Sequence, residues 1–152
     1  MALEYSLNLD GAFLADELIA ALSEAGFTPA GGASDTLLAE GVTATVGGAS
    51  DRFNRYADAF GFSPSSAVLF SVDQRDEYEA GMAAMLTGVS AILAALPDDA
   101  VLVGNYDTGL LLRREQHLVL TSRDNWWTDG MTPPPIGWLD ATPHRFATLP
   151  IF

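Results

Sequence analysis

The chain has 152 residues, 7 basic and 20 acidic, for a net charge of −13, and it contains no cysteine. At this length one domain is the default, and a hydrophobic content of 49% argues against general disorder. Disulfides, thiolate zinc sites and catalytic thiols are excluded. The acidic excess argues against docking on a nucleic-acid backbone or an anionic bilayer, both of which ask for clustered basic residues. No apolar run approaches the ~20 residues of a bilayer span. No basic flank precedes the first apolar residues, so no signal peptide is expected and a cytoplasmic location is. Every basic residue is an arginine. The charge leaves room for a basic partner steered in by opposite sign, although net charge also serves plain solubility.

Leu3-Glu4-Tyr5-Ser6-Leu7-Asn8-Leu9 alternates apolar and polar residues and predicts a half-buried strand. Asp10 is a candidate cap for a helix on which Leu14, Leu18, Ala21, Leu22 and Ala25 share a face, with Gly26 at its stop. Thr36 to Leu38 and Val42 to Val46 predict two short strands around a Glu40-Gly41 turn. Asp51 is placed to cap a short helix through Phe60, with Phe53, Tyr56 and Phe60 on one face. Pro64 opens a strand over Ala67 to Val72.

The clearest element follows. Asp76 occupies an N-cap position, Glu77 and Glu79 fall in the first turn where the helix dipole favours negative charge, and Pro97 ends the helix. Tyr78, Met82, Met85, Leu86, Val89, Ile92, Leu93 and Leu96 form its apolar stripe. Gly81 and Gly88 lie on a second, small-residue stripe, where each costs about 1 kcal/mol of helix propensity against Ala and so implies close packing. Ala100 to Val103, Leu110 to Arg114 and His117 to Leu120 predict a meander, with turns at Asn105 to Gly109 and Glu115-Gln116. The predicted fold is α+β: a mostly antiparallel sheet with two main helices packed on one face, a two-layer single domain over residues 1–152. Residues 124–152, with Trp126, Trp127, Pro133 to Pro135 and Trp138, read as an irregular segment laid over it.

A search for catalytic and metal-binding patterns finds none. His117 and His144 are 27 positions apart, which does not make a paired-imidazole metal motif. GxSxG, GxGxxG and the P-loop pattern are absent, and a P-loop would need a lysine. Ser63, Ser65 and Ser66 around Pro64 read as turn chemistry. Asp73, Asp76, Glu77 and Glu79 lack the ligand order of an EF-hand and fit helix capping better. Asp98-Asp99 fits a capping turn better than acid/base work. One of Arg113 and Arg114 is expected to face the covered side of the sheet and pair with a carboxylate. No metal or cofactor is expected.

Glu4-Tyr5-Ser6-Leu7, Phe60-Gly61-Phe62-Ser63-Pro64 leading into Val68-Leu69-Phe70, and Tyr78-Glu79-Ala80-Gly81-Met82 occur in that order. They are followed by Pro97-Asp98-Asp99-Ala100-Val101-Leu102, Leu111-Leu112-Arg113-Arg114 and Trp126-Trp127. Over residues 3–127 this series resembles the Sit immunity proteins, the cognate antitoxins of swarming-inhibition toxins in bacterial kin competition. The match is poor over Thr28 to Ser50, and Asn105 to Gly109 departs from the family's turn. The resemblance implies a small cytosolic protein that binds one protein toxin and blocks it, with no catalysis of its own and no active-site residues to carry over. The candidate toxin-binding residues are Asp73, Asp76, Glu77, Glu79, Trp126 and Trp127, acids to attract a basic toxin and aromatics to anchor it. The competing expectation is a small-ligand or carbohydrate module, or an enzyme, with Trp126, Trp127 and Trp138 lining a pocket. A third is a structural subunit. For Trp126-Trp127 the plain alternative is closure of the core.

Overall fold

The computed structural model describes residues 2–11, 15–31, 35–48, 61, 64–105, 108–123, 126–127 and 143–149. At its centre is β1 (Ala2–Leu9), hydrogen-bonded antiparallel to β5 (Ser66–Asp73) on one side and to β6 (Ala100–Gly104) on the other. Outward from β5 lie β4 (Val42–Gly48), β3 (Thr36–Ala39) and the two-residue β2 (Thr28–Pro29). Outward from β6 lie β7 (Thr108–Arg114), β8 (His117–Thr121) and β9 (His144–Ala147). Among the described residues the result is a single nine-stranded sheet, antiparallel at every pairing except β8–β9. Helices α1 (Ala15–Glu24) and α2 (Tyr78–Ala95) cover one face, so the chain has the expected α+β architecture.

Period-two alternation builds that covered face. Leu7 stands between Val68 and Leu102, and Tyr5 between Phe70 and Gly104. Leu7, Val68, Phe70 and Leu102 have no accessible surface. Each such apolar side chain contributes ~1.5–3 kcal/mol on burial. A bulge between Leu102 and Val103 inserts one residue into β7, and Leu110 and Leu111 both enter the core. The polar alternates of β1 depart from the half-buried expectation: Ser6 is 2% and Asn8 0% exposed. Ser6 is flanked by Leu69 and Val103, and Asn8 by Ala67 and Val101, so both polar side chains stand among apolar neighbours. The Asn8 amide donates back to the Ser6 carbonyl and hydroxyl at 3.2 and 3.1 Å.

The first helix ends as its glycine predicts. Gly26 has φ +102°, the Phe27 N–H bonds the Leu22 carbonyl and the Gly26 N–H bonds that of Ser23, which is a Schellman closure. Phe27 and Leu22 then press on Gly88 of α2, where a Cβ would lie 3.1 Å from each. Gly81 has a stricter reason to be small: a Cβ there would collide with the backbone oxygen of Gly41 in the β3–β4 turn. Gly41 itself has φ +76°, as the predicted Glu40-Gly41 turn requires.

Several expectations are corrected. The cap of α2 is displaced: the N-cap residue is Glu77, with no side-chain cap bond, and Asp73 instead accepts the N–H groups of Arg75 and Glu77 at 3.1 and 3.3 Å. Asp73 ends β5 and can turn its carboxylate back over the entering chain, which Asp76 does not do. The stretch 124–152 is not irregular throughout, because β9 lies within it and joins the sheet in parallel. The Ser122 N–H bonds the Ala147 carbonyl and Arg123 Nη2 bonds that of Leu149, tying the returning segment to β8. By length and composition α2 passes for a membrane span, with 18 residues of mean hydropathy 1.3, contrary to expectation; half of it is buried in this core. The predicted helix over 51–60, and Pro133 to Pro135, Trp138 and Ser63, lie outside the described residues.

Arg113 and Arg114 also sort differently from expectation. Arg113 does face the covered side, but it takes no carboxylate. Its guanidinium donates to backbone carbonyls: Nη1 to Leu93 at 2.6 Å, Nε to Asp98 at 2.9 Å and Nη2 to Leu96. The carbonyls of Leu93 and Leu96 are groups that the C-terminus of α2 leaves without helical partners, and that of Asp98 lies in the turn beyond. Arg114, on the alternate side, is the one that pairs, its Nε 3.2 Å from Asp99 Oδ2. The two-residue β7–β8 turn places Glu115 and Gln116 at φ +50° and +70°. Glu115 N–H bonds Asp99 Oδ1 at 2.9 Å and Gln116 Nε2 bonds the Pro97 carbonyl at 2.7 Å, which hold that strained turn.

Two stability outcomes follow. Gly81→Ala costs about 1–3 kcal/mol in urea unfolding, although helix propensity alone would gain about 1 kcal/mol, because the β3–β4 turn backbone cannot yield. Arg113→Met costs about 3 kcal/mol or more, since it strands buried carbonyls, and Arg113→Lys recovers less than half of that because an ammonium lacks the planar fork. Equal stability of wild type and Arg113→Met would remove the clasp from any structural role.

Candidate functional site

The six residues proposed from sequence divide into two groups that meet at one end of the sheet. That end is where β1 begins, β5 ends and β6 ends, and α2 starts above it. Asp76, Glu77 and Glu79 are exposed there, and Asp73 is half-buried by its capping bonds. Tyr78, between Glu77 and Glu79, turns inward and is partly buried against the core. Beside it the Tyr5 phenol is pushed up to about 12, first by desolvation and then by Tyr78. The Trp126 ring lies 6.3 Å from that of Tyr5, and Trp127 meets Trp126 edge to face at 4.6 Å and 73°. Tyr78, Tyr5, Trp126 and Trp127 thus make an aromatic row across the end of the core, with the four acids on its α2 side.

The two tryptophans do different work. Trp127 is 7% exposed and its indole N–H donates to the Leu110 carbonyl at 2.7 Å, so it closes the core and offers little to a partner. Trp126 is half-buried and packs against the core beside Tyr5 and Trp127. Behind α2, Asp73 and Glu77 also border a shallow depression of about 470 Å³ with Leu38, Thr43 and Ser71. Leu38 is 42% exposed.

A second feature was not anticipated. A groove of about 900 Å³ runs along β7, β8 and β9. Its floor includes Leu112 and Val119, and its walls carry Arg114, His117, His144 and Arg145. Neither Trp126 nor Trp127 is among its lining residues. The parallel register places His144 beside Leu118, one position from His117, so two histidines 27 apart in sequence share a groove. The only local signal was the four-residue run His144-Arg145-Phe146-Ala147, too short to read as a strand beside the prolines and glycines before it. Among the described residues no three His, Asp or Glu side chains gather as metal ligands.

The Tyr5 environment has a measurable consequence. Its phenol ionises at about 12 in the folded chain and near 10 in the unfolded one. Its contribution to stability is therefore complete below pH 10 and is lost as pH rises through 12. Urea midpoints of wild type fall between those pH values, and Tyr5→Phe, which cannot ionise, shows a shallower fall. Parallel curves would place the Tyr5 phenol in solvent.

No curated protein and no solved structure matches the chain. A protein-family model does: the SitI3-like model matches residues 3–131, which include β1 through β8, both helices and the tryptophan pair. The chain belongs to the SitI3-like family.

Proposed function

We propose that this chain is an immunity protein of the cytoplasm that binds a cognate protein toxin and neutralises it by occlusion, without catalysis. The family name points to an immunity protein. The observation that carries the reading to a surface is the meeting of Asp73, Asp76, Glu77 and Glu79 with the Tyr78–Tyr5–Trp126 row at one end of the fold. Exposed carboxylates accelerate encounter with a basic surface. A half-buried aromatic on a rigid base then supplies contact area at little entropic cost, which lengthens residence. The cap bonds of Asp73 and the Gly41–Gly81 contact fix this end of α2 before any partner arrives, so binding asks for little reordering.

The test is coexpression with the product of the neighbouring gene, assayed as the toxin. Wild type restores growth and co-purifies with the toxin. Asp76→Lys with Glu79→Lys, two exposed positions outside the cap bonds, slows association by about tenfold or more at low salt and less at high salt. Failure of the wild type to bind or rescue overturns the immunity reading. Rescue and association rates unchanged in the double variant would move the toxin surface elsewhere on the fold.

A further inference from the structure

We propose that the β7–β9 groove is a docking site for an extended, acidic polypeptide segment, with its carboxylates seated on Arg145 and Arg114. The inference does not rest on the toxin reading.

The first observation is charge placement. In a chain of net charge −13 with 7 arginines, two arginines and both histidines line one groove. Arg113 and Arg123 are committed to backbone carbonyls, and Arg75 lies beyond the far end of β5. Arg145 is exposed and, by register, stands beside Val119 on the face that also carries Leu112 and Arg114. Arg114 is anchored by Asp99, which fixes where its guanidinium sits. Among the described residues Glu115 lines the rim and Asp99 stands behind Arg114, and these are the acids on this side. Screening at physiological salt limits a charge to roughly 8 Å, so a ligand in the groove feels these cations more than the distant acids of α2.

The second observation is backbone geometry. β9 is the last strand of the sheet, and β8 is its one partner in the described order. Natural edges are commonly blunted by charge or shortness, and β9 has four residues with Arg145 among them. It also presents Phe146, 47% exposed, one of two large exposed apolar side chains among the described residues. Phe146 alternates with Arg145 and faces away from the groove, whereas Leu112, Val119, Arg114 and Arg145 share the groove face, where a segment laid along the strands meets an apolar floor edged by guanidinium groups. Guanidinium groups over an apolar floor select carboxylates with bidentate geometry, and an extended segment with acids at alternate positions meets that requirement.

The experiment uses the full chain and no toxin. A fluorescein-labelled heptapeptide of alternating glutamate and valine is titrated by anisotropy, beside a matched peptide with glutamine for each glutamate. The acidic peptide binds about tenfold tighter or more, and binding weakens as salt rises from about 50 to about 500 mM. Arg145→Glu, at an exposed site, leaves the unfolding midpoint unchanged and lowers affinity for the acidic peptide by at least about tenfold. Amide shifts in a labelled sample fall on 112–119 and 144–147. Equal binding of the two peptides, no binding, an Arg145→Glu variant that binds normally, or shifts centred on the α2 end would each overturn the proposal.

Discussion

The clasp of Arg113 on the last turn of α2 is the interaction on which the arrangement of the molecule turns. An α-helix laid across a sheet leaves carbonyls unbonded at its C-terminus, and α2 turns Leu93 and Leu96 of that terminus into the core. A buried orphan carbonyl costs roughly 1–3 kcal/mol. Arg113, reaching up from β7 on the covered face, donates to three carbonyls in the stretch Leu93 to Asp98 with one planar fork. It also brings positive charge to the negative end of the helix dipole. Burial lowers the guanidinium's pKa and Asp98 and Asp99 raise it again, yet an arginine so placed stays charged. One residue therefore locks β7 to α2 and leads into the turn that starts β8.

At its other end α2 is held by proximity of backbone. Gly41 of the β3–β4 turn and Gly81 of the first helical turns approach so closely that neither can carry a side chain. In the same place Asp73 N–H bonds the Gly41 carbonyl at 2.9 Å, linking β5 to that turn as well. A helix fixed at both ends over a wide sheet has no freedom to slide. The acids of its first turn and the inward Tyr78 are set in space by contacts made with other elements. The site is thus rigid because of the fold's needs: the glycines, the clasp and the aromatic row all serve the core, and the exposed carboxylates sit on what they have fixed.

What could be read from sequence followed from local physics. The alternation of β1, the stripe of α2 and the glycine at 26 each report a single element's surroundings, and each element formed, although β1 is buried on both faces. The turn at Glu115-Gln116 was legible from spacing, although both residues are left-handed without a glycine. Hidden features depend on which distant segments become neighbours. Arg113 was expected to seek a carboxylate because charge invites charge, whereas the buried helix terminus offers stronger claims through its unpaired carbonyls. Gly81 announced close packing without naming Gly41. Trp127 could have been anchor or core until the Leu110 carbonyl appeared opposite its indole nitrogen. The groove was invisible because it needs β9, a four-residue parallel strand whose pairing with β8 no local pattern encodes.

Net charge describes this molecule poorly because its charge is sorted. Four carboxylates lie where α2 begins, and Arg114 and Arg145 stand where β7 ends and β8 and β9 begin. Sorting has a structural origin. The dipole of α2 favours acids at its start, while Arg113 is drawn to its end, and the strand alternation that turns Arg113 inward turns Arg114 to the opposite face. Arg145 arrives beside Arg114's face through the β8–β9 register. Two like-charged guanidiniums at a shared groove repel one another, and the Asp99 pairing offsets part of that for Arg114. Among the described residues no carboxylate pairs with Arg145, so an incoming carboxylate would give it a fixed partner. In a strongly acidic chain such a residue marks a place where the field seen by a ligand is opposite to the field seen from afar.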